Sequence, residues 1–468
     1  MDVAGLIESP GLITAPAGCG KTHLLSELVS CNDSDKPLLV LTHTNAGVAA
    51  LANHLNERGV ESSRYRLFTI DGWILHIASL FPGGTGFDPS KPISNDVYVG
   101  VRKGLALGLK SKFIDPSLLA TYSGVVVDEY QDCTYLQHAV IVFLQMIMPA
   151  WIFGDPLQGI FSFSRPDKQV EWEEVCERFA QAGELETPWR WKNAGKGDFG
   201  EWLLDARKSL QDGSGIDLRN TPPEVVWESA PDNESARKAA IAHCRFPGLG
   251  AGERGIVIGS SMDASSRHAI ARSCAGLTVV EPVALGCLFK FCGGFDPSSE
   301  DALKSFLSFA AMCMTGVEGS KLEARLKTLR RGKARKPPDA TEESLLKFEE
   351  TSDTRWLAGA LVALKDRSGT RLYRPTLYGA GLEAMELFSV SEEPMRVVAQ
   401  RVRERLRYRP RKAGKRSIGS TLLLKGLEST QAVILGADLL DTSNLYVALT
   451  RASTRVVVFS PKPVIGNQ

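Results

Sequence analysis

No run of the 468 residues stays apolar over the roughly twenty positions that a membrane-spanning helix requires. The first ten residues, MDVAGLIESP, carry acids and a proline and lack the cationic start and apolar stretch of a secretory leader. Excess charge of one sign is also missing: 55 Lys and Arg against 54 Asp and Glu leave a formal net charge of +1. That balance selects no partner, because a local basic patch can sit inside a neutral total. The nine cysteines show no CxxC spacing, which excludes the usual zinc patterns and fits reduced thiols. The seven histidines form no ligand pattern either. These absences predict a soluble, cytoplasmic protein with no membrane association. At this length one hydrophobic core stops growing, so two or more lobes are expected.

What is present is concentrated in two segments. Residues 15–22 read APAGCGKT, after a short apolar run and before HLLSELV, whose spacing is helical. Strand, glycine loop and helix together form a phosphate cradle. Gly18 and Gly20 let the backbone turn its N–H groups inward, and the following helix N-terminus adds a favourable field. Lys21 neutralises phosphate charge, and the Thr22 hydroxyl is a ligand for Mg²⁺. The loop residues Ala17, Gly18, Cys19, Gly20, Lys21 and Thr22 are therefore the expected nucleotide contacts. The second segment, VVVDEYQD at 125–132, is an apolar strand that delivers two acids side by side. Asp128 is placed to hold Mg²⁺ and Glu129 to polarise an attacking water. Further continuous apolar runs, at 36–42 and 150–155, suit strands buried on both faces of a parallel sheet. Ligands lie at the carboxyl ends of such strands. ATP and Mg²⁺ are the expected cofactors.

At DEYQD (128–132) followed by GDPLQGIF (154–161) the chain resembles the UvrD/Rep-like group of superfamily 1 DNA helicases, a group that includes compact members of phage-defence systems such as the Gabija type. The matching segments follow in order: THTN at 42–45, TIDGW at 69–73, LETPWRW at 185–191, KGLE at 425–428 and LYVALTRA at 445–452. The resemblance implies an α/β fold of two RecA-like P-loop lobes, each a parallel sheet flanked by helices. It also implies that Gln158 senses the γ-phosphate, that Arg190 and Arg451 close on it, and that Glu428 contacts the ribose. Thr44, Asn45, Thr69 and Phe163 would face single-stranded nucleic acid, with Phe163 stacking on a base. The chain departs from the family at Ala46, where a lysine is usual, and at Asp71, where a histidine is usual. Leu422, Leu423 and Leu424 replace a polar pair, and no adenine-reading glutamine precedes the phosphate loop.

The expected organisation is a first lobe over residues 1–184 with a small helical insertion around 74–121. A second lobe follows in two parts, 185–284 and 395–468, interrupted by a helical subdomain at 285–394. Apolar runs at 225–227, 255–260, 421–424, 432–436 and 455–460 read as strands of the second lobe. Basic clusters at 325–336 and 401–416 are either solvated helix faces or phosphate contacts. Two functions fit. One is an ATP-driven translocase or helicase on single-stranded DNA (RNA not excluded), moving 3′ to 5′ as in the family. The other is a nucleic-acid-sensing ATPase subunit that regulates a nuclease partner in trans, because the chain ends soon after LYVALTRA and leaves no space for a fused nuclease.

Overall fold

The computed structural model describes residues 5, 8–90, 95–161, 167–229, 234–407 and 413–467. It contains two parallel six-stranded sheets flanked by helices. The chain divides into two compact units, Met1–Ser229 with Gly436–Gln468, and Ala230–Leu435.

In the first unit, β1 (Leu12–Thr14), β2 (Leu38–Thr42), β3 (Tyr65–Thr69), β4 (Gly124–Val127), β5 (Ala150–Gly154) and β6 (Gln181–Glu184) form one sheet in the order β3-β2-β4-β5-β1-β6. Every pairing in it is parallel. The central strands are buried at every position, as their unbroken apolar runs require. Helices α1 (Lys21–Ser30), α2 (Asn45–Glu57), α3 (Ile70–Leu80), α4 (Asn95–Lys110) and α5 (Tyr135–Gln145) connect these strands. Among the described residues of the stretch 74–121, the helices are the end of α3, Pro82–Thr85, α4 and Asp115–Thr121, and Trp73, Ile74, Leu105 and Ile114 share a core with β4 and β5. Thr134 and Gln137 form a reciprocal capping box at the start of α5. Then α6 (Trp189–Asn193), α7 (Gly197–Gln211) and β7 (Val225–Ser229) complete the first pass of this unit.

The second unit holds β8 (Gly255–Ile258), α8 (Ala264–Ser273) and β9 (Leu277–Val279), followed by a helical stretch. That stretch includes α9 (Ala302–Cys313), α10 (Thr354–Asp366), α11 (Pro375–Phe388) and α12 (Met395–Arg407). Its core is built on Phe306, Phe309, Leu357, Leu361 and Leu377, with Phe291 stacked on Phe309 at a 4.4 Å centroid distance. Inside it, Met314–Thr315 pairs antiparallel with Arg371–Leu372. The chain then returns as β10 (Arg416–Gly419) and β11 (Ser429–Ile434), so that four parallel strands run in the order β9-β10-β8-β11. Back in the first unit, α13 (Thr442–Leu449) leads into β12 (Ala452–Ser460), which pairs parallel with β7.

The apolar run at 421–424, expected as a strand, is instead a helical turn, Thr421–Leu424, after the strand that ends at Gly419. Four apolar residues carry no periodicity that separates the two states, and Ser420 at the turn's start supplies the break. Strands β3, β6 and β9 gave no clear sequence signal. β3 and β6 are the sheet's edges, where half-exposed and polar residues dilute the apolar run. Among the described residues no helix is long and apolar enough to cross a membrane.

Candidate nucleotide-binding site

Strand β1 ends at Thr14, and the Ala15 N–H donates to the Gly154 carbonyl at 2.9 Å, which anchors the loop to the end of β5. Gly18 and Gly20 hold φ values of 71° and 92°, the left-handed region that a side chain disfavours. They turn the chain so that α1 begins at Lys21, and Thr22 lies exposed in its first turn. From the neighbouring strand end, the Asp128 N–H is held by the Leu41 carbonyl at 2.8 Å. Glu129 follows with φ 57°, a conformation costing a non-glycine residue roughly 1–3 kcal/mol and found where surrounding structure enforces it.

These strand ends bring the expected groups together. Lys21 Nζ lies 2.8 Å from Asp128 Oδ1 and also pairs with Glu129 Oε1. Burial disfavours the ammonium, but the two carboxylates outweigh it and hold the Lys21 pKa above its ordinary value. Burial raises the Asp128 carboxyl; Lys21 pulls it down and Glu129 pushes it up again. One ammonium shared by two acids leaves the cluster short of positive charge. The donor set, two carboxylates beside the exposed Thr22 hydroxyl, therefore fits a divalent cation. Among the described residues no group of three or more His, Cys, Asp or Glu is placed to hold a metal ion.

The network continues inward. Gln131 Nε2 donates to Glu129 Oε2 at 2.6 Å, and Gln131 Oε1 accepts from the Asp155 N–H at 3.0 Å. Asp155 Oδ2 accepts from Gln158 Nε2 at 2.9 Å, and Asp155 Oδ1 accepts from Arg207 Nη2 at 3.0 Å. On the other side of the loop, the Arg190 N–H donates to the Gly18 carbonyl at 3.1 Å, and Arg190 Nη1 donates to the Thr450 carbonyl at 2.8 Å. Arg451 is buried, its Nε donating to the Val447 carbonyl at 2.9 Å and its Nη2 to Thr450 Oγ1 at 3.2 Å. The Tyr446 hydroxyl, fully buried, accepts from the Ala17 N–H at 3.1 Å. Trp191 packs so closely over the loop that a Cβ on Gly18 would sit 2.5 Å from its ring. Burial lifts the Cys19 thiol to about 12, with Asp155 adding to the rise, so it stays a neutral packing group.

Of the expected nucleic-acid residues, Thr44 and Thr69 are helix N-caps. Thr44 Oγ1 accepts from the Gly47 N–H and Thr69 Oγ1 from the Gly72 N–H, each at 3.0 Å. Thr42 pairs in register with Thr69, so both segments emerge side by side at the carboxyl edge of β2 and β3. Asn45 is exposed beside them. Asp71 is bound to Arg102 through two contacts of 2.8 and 2.6 Å and to Gln137 at 3.0 Å. Burial opposes its ionisation, yet Arg102 and Gln137 hold its carboxyl below the ordinary value. Phe163 lies outside the described residues. Glu428 belongs to the second unit, exposed just before β11.

Some bases of the two basic clusters are paired with acids. Arg325 lies 3.4 Å from Glu342, and Arg330 pairs with Glu349. On α12, Arg401, Arg403, Arg405 and Arg407 pair with Glu393, Glu404, Glu383 and Glu404. Residues 408–412 of that cluster are outside the described residues.

Tyr446 and Arg207 carried no expected role in the sequence. Tyr446 sits inside an apolar helical run whose spacing conceals a polar task. Arg207 lies on α7 with no local motif, and its partner Asp155 is 52 residues away.

The strand, glycine loop and helix at residues 12–30 have the arrangement of a phosphate-binding loop. A family model described as "AAA domain" matches residues 3–164. No curated protein matches the sequence. Among solved structures, the chain is similar to an arterivirus nonstructural protein 10 (helicase) in complex with DNA. The identity is 10% and the TM-score 0.37, over 98% of this chain and 62% of that one. A second structure of arterivirus nonstructural protein 10 gives the same identity and TM-score over 98% and 61%. The chain thus spans about three fifths of the length of those helicase chains.

Proposed function

We propose that the chain hydrolyses ATP with Mg²⁺ and uses the cycle to move along single-stranded DNA, 3′ to 5′, as a UvrD-like translocase. The observation that carries this reading is the meeting of Lys21, Asp128 and Glu129 at the mouth of the phosphate loop. When bound, Mg²⁺ supplies charge neutralisation on the phosphate oxygens, with Thr22 and Asp128 as the residues that hold it. The backbone N–H groups of residues 17–22 bind phosphate, and Lys21 leaves its carboxylate partners to neutralise it. Glu129, released from Lys21 and kept oriented by Gln131, accepts a proton from the attacking water at Oε1. Gln158 reports on the γ-phosphate, and Arg190 and Arg451 supply positive charge as the phosphoryl group transfers. Glu428 takes the ribose. Division into a first lobe at 1–184 and a second at 185–284 and 395–468, interrupted by a helical insertion at 285–394, belongs to the same reading. So does the strand path past Thr44, Asn45, Thr69 and Phe163.

Steady-state ATP hydrolysis with and without single-stranded DNA, alongside strand displacement on a 3′-tailed duplex, tests this. Stimulation by the single strand supports the translocase, and turnover indifferent to any nucleic acid sinks it. Stimulation without strand displacement, together with a co-purifying nuclease, would favour the sensor-subunit reading instead.

A further inference from the structure

Arg207 is 6% exposed, lies in the C-terminal part of α7 and meets Asp155 at 3.0 Å. Its second carboxylate neighbour, Glu184, is 3.7 Å away and half-exposed. Its Nε finds no partner among the described residues. A buried pair of this kind is weak evidence for stability, since desolvating two ions offsets most of their attraction. What the pair does is orient Asp155. Asp155 Oδ1 is taken by Arg207 and the Leu157 N–H, which leaves Oδ2 facing Gln158. An ionised carboxylate only accepts hydrogen bonds, so Gln158 must present its NH₂ to Asp155 and direct its carbonyl oxygen elsewhere. The backbone of Asp155 is meanwhile tied through Gln131 to Glu129.

We propose that Arg207 is a positioning residue for hydrolysis: by clamping Asp155 it fixes which face of the Gln158 amide is offered to the nucleotide, and it ties α7 to the phosphate site. This rests on the nucleotide-hydrolase reading given above. Arg207 bonds to Asp155 and Gln211 and lies near Glu184. Its effect passes wholly through Gln158, and this separates it from a residue that merely supports the fold.

A double-mutant cycle tests the proposal on the full chain, with kcat and KM for ATP measured for wild type, Arg207→Met, Arg207→Lys, Gln158→Ala and both Arg207 variants combined with Gln158→Ala. Arg207→Lys keeps a charge beside Asp155 and guards against misfolding, checked by urea melting. We expect Arg207→Met to lower kcat about 10- to 100-fold, the worth of one hydrogen bond to a charged group, with KM unchanged. Arg207→Lys should give a smaller loss at an unaltered urea midpoint. Combined with Gln158→Ala, neither should lower kcat further. Losses that multiply with that of Gln158→Ala, or wild-type kcat in both Arg207 variants, overturn the proposal. Lys21→Ala is the separate control: wild-type turnover that survives it removes the hydrolase reading and the proposal together, whereas multiplying losses remove the proposal alone.

Discussion

At the scale of single residues, the site is an arrangement of shared hydrogen bonds in which each acid has a stated task. Lys21 is held by two carboxylates, so it occupies the mouth of the loop before phosphate arrives. On the proposed reading, Lys21→Ala should lower turnover by about 10²-fold or more, through loss of the charge that would bind the transferred group. Radiometric or coupled phosphate release would measure this. The Tyr446 hydroxyl satisfies a loop N–H that is otherwise buried. Tyr446→Phe should therefore destabilise the free chain by about 1–3 kcal/mol, the cost of an orphaned buried donor. A urea denaturation midpoint equal to that of wild type would contradict the assignment.

At the scale of elements, legibility follows burial. β1, β2, β4 and β5 were readable because strands covered on both faces must be apolar throughout. Their carboxyl ends carried the recognisable groups Lys21, Asp128 and Glu129. The edge strand β6, Gln181–Glu184, was not readable, since exposure frees its residues from that constraint. Arg207 and Tyr446 were hidden for a different reason: their tasks depend on partners that only the folded topology supplies. In the second unit the buried pair Glu281–Arg374 joins the segment after β9 to the start of α11. Arg374→Met leaves Glu281 buried and unpaired, and should cost about 3–5 kcal/mol in denaturant titration. His268 on α8 has its pKa lowered to about 4 by burial, with Arg374, Arg267 and Arg272 adding to the drop and Glu281 opposing it. The folded pKa lies below the ordinary histidine value of 6.5, so the unfolded chain binds the extra proton first. This contribution to stability is fully present above pH 6.5 and is lost as pH falls toward 4. Melting temperatures measured across that range should fall less steeply for His268→Gln than for wild type.

At the scale of the whole molecule, the net charge is near zero, and Arg325, Arg330, Arg401, Arg403, Arg405 and Arg407 of the two basic clusters are paired with acids. Recognition of nucleic acid on the proposed reading therefore comes from local contacts at strand ends such as Thr44 and Asn45, and its salt dependence should be shallow. Binding of a fluorescent single strand across 50–200 mM salt, with an affinity loss well below 10³-fold, would agree with that.

The central claim is that Glu129 at the end of β4 activates water for nucleotide hydrolysis. The most direct measurement compares ATP affinity and single-turnover hydrolysis in wild type and Glu129→Gln, with Mg²⁺ present. The account predicts ATP binding within a few-fold of wild type and hydrolysis slowed by about 10²–10⁴-fold, the range for losing a positioned general base. Near-normal hydrolysis in Glu129→Gln would contradict it.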